Sequence, residues 1–279
     1  MNFLFWMFLA GIVVASLQDL KRREVDNWLN YLLLIGGAGF LIFDSIFNMD
    51  FNIVLIGLFC FGIMFVLGNL FYYGRVFAGG DAKLLIAMFA LFVGSSLIAS
   101  LQNIGIFIIF LLFGGAVWGG VYGGGLVFLN FKKFTNQLKI EFRKYKRYYS
   151  IFLFIFVLLV VLIFLDNLFL VLVLFYILFI LLFIFAKALE NSAMLRRVNS
   201  RDLREGDWIV EDVRIGKRIV KSNWEGLTKK DLELLRGGHK NVLVKEGIPF
   251  VPGFLIALIC YGFLAESLLE IVKEFLALI

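Results

Sequence analysis

Residues 150–186 read SIFLFIFVLLVVLIFLDNLFLVLVLFYILFILLFIFA, and Asp166-Asn167 is the one polar break in the run. As a single helix this stretch would be about 55 Å long at 1.5 Å per residue, well beyond a hydrocarbon core of about 30 Å. It therefore reads as a hairpin of two spans turning at Asp166-Asn167. The choice decides the architecture, because it fixes the side of the membrane on which every later residue lies.

The rest of the chain agrees with a membrane reading. Hydrophobic residues make up 62% of the sequence, with 34 Phe and only two Pro, and charged residues are confined to clusters. No ordinary soluble core needs so much apolar side chain. Cys60 and Cys260 both fall inside apolar runs, which argues against a disulfide framework and against a cysteine zinc site. The single His239 reads as a surface residue, so neither a metal nor a cofactor is expected. Matching apolar runs to a bilayer predicts eight spans: 2–18, 28–47, 51–73, 82–100, 103–129, 150–165, 167–186 and 248–272. The first lacks a basic flank and a small-residue cleavage site, so it is expected to be retained.

Charge then orients the spans. With the N-terminus outside, 26 of the 27 Lys and Arg residues fall on the cytoplasmic side, and only Lys273 falls outside. A single helix over 150–186 would instead place fourteen basic residues outside. The net charge of +6 thus needs no nucleic-acid partner, because orientation and contact with anionic lipid explain it. The basic stretch 132–149 reads as a helix lying on the lipid surface.

Residues 187–247 form the one hydrophilic segment. DWIVEDV and KRIVK have strand character, and HKNVLVKEG resembles another short strand. TKKDLELLRGG reads as a helix with Thr228 as N-cap and Gly237-Gly238 at its end. The expected fold is an α-helical polytopic membrane protein of about eight spans, with a small cytoplasmic α+β module before the last helix. Its expected parts are a transmembrane domain over 1–186, the module over 187–247 and a final helix over 248–279. The glycine-rich run 114–125 carries Gly115/Gly119 and Gly120/Gly124 at the spacing of close helix packing.

Two carboxylates stand out against this background. Asp19 closes the first span in QDLKRREVDNW, and Asp81 opens the fourth in FAGGDAKLL; both are expected at the cytoplasmic face. Two acids at one depth can share one water. Mutual repulsion keeps one protonated, so that one can activate water while the other polarises a carbonyl. The pair titrates as a unit, and the sequence does not say which is acid and which is base. Gly79 and Gly80 would let a substrate backbone approach Asp81 closely. A boundary carboxylate can equally be solvated by headgroups, as Asp44 and Asp50 suggest, or can serve a helix N-terminus, as Asp26 could for the second span. Spacing alone leaves both readings open.

The segment DLKRREVDNW resembles the first active-site segment of type IV prepilin peptidases, with Asp19, Arg23, Val25 and Asn27 in matching positions. FAGGDAKLL is similar to their GxGD signature and its following Lys, which gives Asp81 and Lys83. REGDWIVEDV and KEGIPFVPGFLIALI resemble the soluble domain and final span of the archaeal branch, the preflagellin peptidases. The resemblance implies an aspartic endopeptidase with Asp19 and Asp81 as its catalytic pair. It implies precursors of pilin-like proteins or archaellins as substrates, each with a basic leader and a hydrophobic helix. Departures stand beside it: Ala78 replaces the first Gly of the signature, the chain has neither a cysteine-rich zinc module nor a recognisable methyl-donor site, and the hairpin 150–186 is extra membrane mass relative to the six-span archaeal pattern.

Lys83 and Arg23 could orient or charge the aspartates, or could simply anchor the protein at the membrane surface. The acidic residues Glu205, Asp207, Glu211 and Asp212 could attract a basic leader, or serve as solvated loop and edge residues. A presenilin-like protease would be expected to carry Tyr-Asp in one span and Pro-Ala-Leu near its end, whereas here Gln18 precedes Asp19 and the last span opens IPFVP. A proton-coupled transporter would need ionisable residues near mid-bilayer, which are almost wanting. A non-catalytic component of a pilus machine would tolerate loss of either aspartate.

Overall fold

The computed structural model of the protein describes residues 3–162, 168–216, 218–223, 226–238 and 241–277. In chain order the first elements are α1 (Phe3–Arg22), α2 (Asn27–Phe47), α3 (Asn52–Tyr73), α4 (Gly79–Ala87) with a 3-10 extension Met88–Phe92, and α5 (Leu97–Leu129). Next come α6 (Phe131–Lys144), α7 (Tyr149–Leu162) and α8 (Leu168–Leu189), which runs into a π turn at Glu190–Met194. Strands β1 (Leu195–Asn199), β2 (Trp208–Ile209), β3 (Val213–Ile215) and β4 (Arg218–Val220) follow. Helix α9 (Lys229–Gly238), β5 (Asn241–Lys245) and α10 (Val251–Ala277) complete the order.

Among the described residues, six stretches are long and apolar enough to cross a membrane: α1, α2, α3, α5, Tyr176–Met194 and Val251–Glu270. Their outward faces carry exposed Leu, Ile, Phe and Val, among them Ile35, Phe47, Leu58, Val66, Leu112 and Phe263. Such faces suit lipid and would be untenable in water. The protein is a polytopic helical membrane protein with a small sheet module before its last helix.

The chain divides into two compact units, residues 1–122 with 248–279, and residues 123–247, the boundary falling within α5. In the first unit α1 packs on α2 and α10, and α4 packs on α2 and α3. Phe8, Ile12, Leu84, Leu85, Met88, Phe107 and Phe254 are fully buried there. Phe92, Phe107 and Tyr261 form a ring cluster with centroids 4.8–5.9 Å apart.

Two details differ from expectation. The apolar run 82–100 is not one span: α4 ends in a 3-10 turn at Phe92, Val93 is extended, and a new helix starts at Leu97. Ser96 causes the restart, its Oγ accepting the Ala99 N–H at 3.1 Å as a helix-starting serine does. Close helix packing also uses fewer glycines than the spacing suggests. A Cβ on Gly114 would lie 2.4 Å from the Gly253 carbonyl oxygen, and one on Gly115 would strike Phe250. At Gly119, Gly120 and Gly124 a Cβ would meet nothing within 4 Å.

In the second unit α7 packs on α8, the Tyr176 hydroxyl donating to the Phe152 carbonyl at 3.0 Å. The stretch 150–186 therefore contains two helices laid side by side; the turn expected at Asp166-Asn167 lies outside the described residues. Helix α6 buries Phe134 against Phe185, Ala188 and Leu189. Strands β1, β5 and β2 form an antiparallel sheet in that order, and β3 with β4 forms a separate hairpin. Strand β1 carried no strong signal in the sequence; its pairing with β5 creates it. Thr228 and Asp231 cap α9 reciprocally, Thr228 Oγ1 accepting the Asp231 N–H while Asp231 Oδ2 accepts the Thr228 N–H. The helix ends at Gly238, within the expected Gly237-Gly238 pair, and a Cβ on Gly238 would collide with Ile215. His239 lies outside the described residues.

Candidate active site

The site is assembled in the first unit from the C-terminal turn of α1, the N-terminal turns of α2 and α4, and the first residue of α10. Asp19 stands one turn before the end of α1 and is 5% exposed. Its carbonyl accepts the Arg23 N–H at 2.8 Å, which closes the helix. Arg23 itself adopts φ +60°, a left-handed conformation that turns the chain sharply towards α2. The Asp19 carboxylate points away from this turn, and its Oδ2 accepts the Val251 N–H at 2.9 Å. Val251 opens α10, so the carboxylate faces the positive end of a 27-residue helix.

Asp81 lies in the first turn of α4 and is 8% exposed. Its Oδ2 accepts the Ala78 N–H at 3.2 Å, a capping bond that fixes the carboxyl at the helix entrance. Asp81 stands outside the six long apolar helices. Burial, and secondarily the negative charge of Asp19, pushes its carboxyl up to about 7, against the opposing pull of the Ala78 N–H. The two acids are thus electrostatic neighbours.

Gly80 brings α4 against the Arg23–Asp26 turn: a Cβ there would lie 3.6 Å from the Val25 nitrogen. At Gly79 the nearest atom would be a Tyr72 ring carbon at 3.7 Å. Both are ordinary contact distances and neither glycine has positive φ, so packing within the chain does not demand glycine at either position. Lys83 does not reach for an aspartate; its Nζ donates to Asn27 Oδ1 at 2.8 Å and ties α4 to α2. Arg23 donates to the Tyr122 hydroxyl at 2.9 Å, with its guanidinium 5.8 Å from that ring, while its charge still acts on Asp19. Asp26 occupies the N-cap position of α2, yet its side chain does not cap; it takes bonds from Arg22 and from the Trp28 indole.

Three groups at this site were not legible beforehand. Trp118 Nε1 donates to the Pro249 carbonyl at 2.7 Å and, with the Tyr122 ring tilted against it at 5.8 Å, steadies the approach to α10. Phe77 packs between Phe71, Phe250 and Phe254 at 4.9–5.6 Å, joining the segment before Asp81 to the α10 entrance. The third is the Val251 amide, a main-chain donor signalled only by the nearby Pro249 and Pro252.

Comparison with known proteins bears on this arrangement. Residues 6–128 match the type IV leader peptidase family. The matched region contains Asp19 and Asp81 together with the residues around them. Over 81 residues the chain is 35% identical to a preflagellin peptidase of Methanococcus maripaludis. The aligned stretch is 29% of this chain and spans about a third, 35%, of that relative's length.

Elsewhere, the acidic residues of the sheet module serve their own loops. Asp207 Oδ2 accepts the Arg204 N–H at 2.7 Å, Asp212 Oδ1 accepts the Ser222 N–H at 2.8 Å, and Glu205 lies 3.9 Å from Lys229. On α2 and the turn after it, Asp44 and Asp50 likewise take bonds from Asn48 and Asn52.

Proposed function

We propose that the chain is a membrane-embedded aspartic endopeptidase that removes the basic leader from type IV pilin-like or archaellin precursors. Asp19 and Asp81 are its catalytic pair. The observation that carries this reading is that two buried carboxyls, from segments far apart in sequence, act on each other by charge inside a region that matches a leader peptidase family.

We further assign the two acids different roles. Asp19, held by the Val251 amide at the positive end of α10, is the ionised partner and the base. Asp81, buried and repelled by Asp19, keeps its proton near neutral pH and is the acid. Water attacks the scissile carbonyl carbon and gives its proton to Asp19 while Asp81 gives its own to the carbonyl oxygen. The resulting diol collapses: Asp19 passes its proton to the departing nitrogen, and Asp81 recovers a proton from the diol hydroxyl. Both acids end as they began.

In this reading the substrate helix lies in the cytoplasmic membrane beside α1 and α4, with its leader junction at the cytoplasmic face. The N-terminus is outside, the sheet module is cytoplasmic, and α6 rests on anionic lipid. Gly79 and Gly80 leave α4 open to the substrate backbone; Lys83, Asn27 and Arg23 hold the three segments in register. The test is incubation of the purified protein with a synthetic precursor carrying a basic leader and a hydrophobic helix. Cleavage at the leader junction, read by product mass and unchanged by a metal chelator, is the expected result; loss of cleavage on chelation would refute a metal-free carboxyl pair.

A further inference from the structure

Among the described residues, the buried side-chain atoms without a hydrogen-bond partner are Ser16 Oγ, Asn30 Oδ1, Asn30 Nδ2 and Glu141 Oε2. Glu141 is held through its other oxygen by Gln137 and Asn191, in the second unit. Ser16 and Asn30 belong to the unit that contains the aspartates and are 4% and 3% exposed. They stand on α1 and α2, where Ile12, Leu29 and Leu33 are buried as well. An amide with both ends unpaired in such surroundings is costly to a membrane protein that merely has to fold.

The packing register places the two side chains next to the acids. A Cβ on Gly80 would lie 3.6 Å from Val25, Lys83 bonds Asn27, and a Cβ on Gly37 would lie 2.8 Å from Ala90, so α2 and α4 run in the same direction. The same Gly37 position meets Phe8, and Gly11 meets Leu33, so α1 runs against them. Asn30, Leu33 and Gly37 share one face of α2, the face that meets both α1 and the α4 segment. Asn30 therefore lies level with Ala15 on α1 and Leu85 on α4. Each is four residues, about 6 Å at 1.5 Å per residue, from Asp19 and Asp81 respectively, towards the membrane interior. Ser16 lies between, on the same face of α1 as Asp19.

A peptide bond can be hydrolysed only where the backbone is extended. A hydrophobic helix drawn open at its leader junction exposes N–H and C=O groups just inside the bilayer, where no water replaces the broken bonds. A carboxamide offers one acceptor and a donor pair, the complement of one peptide group, and a hydroxyl adds either. We infer that Asn30 and Ser16 bind the unwound substrate backbone on the membrane side of the scissile bond. This rests on the endopeptidase reading above. It makes the two residues part of the binding site rather than of the acid–base pair.

The experiment uses the full-length protein and two synthetic precursors, one all-amide and one with an ester replacing the second peptide bond on the membrane side of the junction. In the wild type the ester slows cleavage, because it lacks the N–H and offers a weaker carbonyl. Asn30→Leu should unfold at the same or a higher temperature, cleave the amide precursor about tenfold more slowly in kcat/KM, and no longer distinguish ester from amide. Ser16→Ala should act in the same direction with a smaller loss. An Asn30→Leu protein that cleaves normally, or that is slow but keeps the full ester penalty, would overturn the inference while leaving the endopeptidase reading intact. A wild type that cleaves neither precursor would overturn both.

Discussion

At the scale of single residues, the proposed role of Asp19 as base rests on the Val251 N–H that it accepts at the start of α10. Val251 is the first residue of α10, a position where proline is tolerated because its missing N–H has no partner within the helix. Val251→Pro should therefore keep the helix and delete only the donor to Asp19. We predict a protein of near-normal thermal stability whose cleavage falls about tenfold at neutral pH and whose acid limb moves to higher pH. Val251→Ala, which retains the amide, should behave as the wild type in the same pH–rate series. Asp81 gives a prediction of opposite character. Its carboxyl is raised from the ordinary carboxylate range to about 7 in the folded protein. Below about pH 4 both folded and unfolded chains hold the proton, and ionisation imposes no penalty. As pH rises through 7 the folded protein loses that advantage. Asp81→Asn should thus abolish cleavage yet raise the melting temperature, with a gain that grows between about pH 4 and 7; a gain independent of pH would contradict the assignment. Both aspartates were legible in the sequence because a carboxylate at the edge of an apolar run is conspicuous. Val251 was not, because a backbone donor leaves no mark on residue type. Asn30 was hidden differently, as a single polar letter in an otherwise apolar helix.

At the scale of elements, α4 shows where pattern and structure part. Its apolar residues run to Val93 and only Gly94-Ser95-Ser96 parts them from the start of α5, so hydropathy joins the two. The restart at Ser96 depends on one hydroxyl bond that an apolar average dilutes. The consequence is a short helix with a 3-10 tail, set between α2 and α3, that delivers Asp81 at its first turn. The glycines before Asp81 are a second case. Nothing in the chain crowds them, so Gly80→Ala should fold with equal or slightly greater stability, by up to about 1 kcal/mol from helix propensity. If those positions are reserved for substrate, the same change should depress cleavage several-fold; thermal melts and precursor assays on one preparation separate the two effects. Unimpaired cleavage by Gly80→Ala would remove the glycines from the site. The basic residues beside the acids prove more structural than catalytic in their contacts, Lys83 on Asn27 and Arg23 on Tyr122. Their partners lie 56 and 99 residues away in sequence, beyond the reach of local pattern.

At the scale of the whole molecule, the fold class followed from hydropathy, and the proposed orientation rests on charge. The proposed topology takes α7 and α8, which pack side by side, as a pair of crossings between α6 and the sheet module. Cysteines placed at Asn48 and Ser222, one at a time in a background with Cys60 and Cys260 replaced by Ala, test the orientation. A thiol reagent that cannot cross the membrane should label intact cells at position 48 and not at 222; the reverse pattern would invert the topology and move both aspartates to the outer face. The sheet module was partly legible, since β2 to β5 overlap β-rich runs, while β1 exists because β5 pairs with it.

The central claim is that Asp19 and Asp81 act as one catalytic site. Its most direct test is cleavage of a pilin-like precursor in membranes carrying the wild type, Asp19→Asn, Asp81→Asn or Asp44→Asn. We predict a complete size shift with the wild type and with Asp44→Asn, and no detectable shift with either of the other two at equal membrane abundance. Near-normal cleavage by Asp19→Asn or by Asp81→Asn would contradict the account and return Asp81 to the role of a well-placed helix cap.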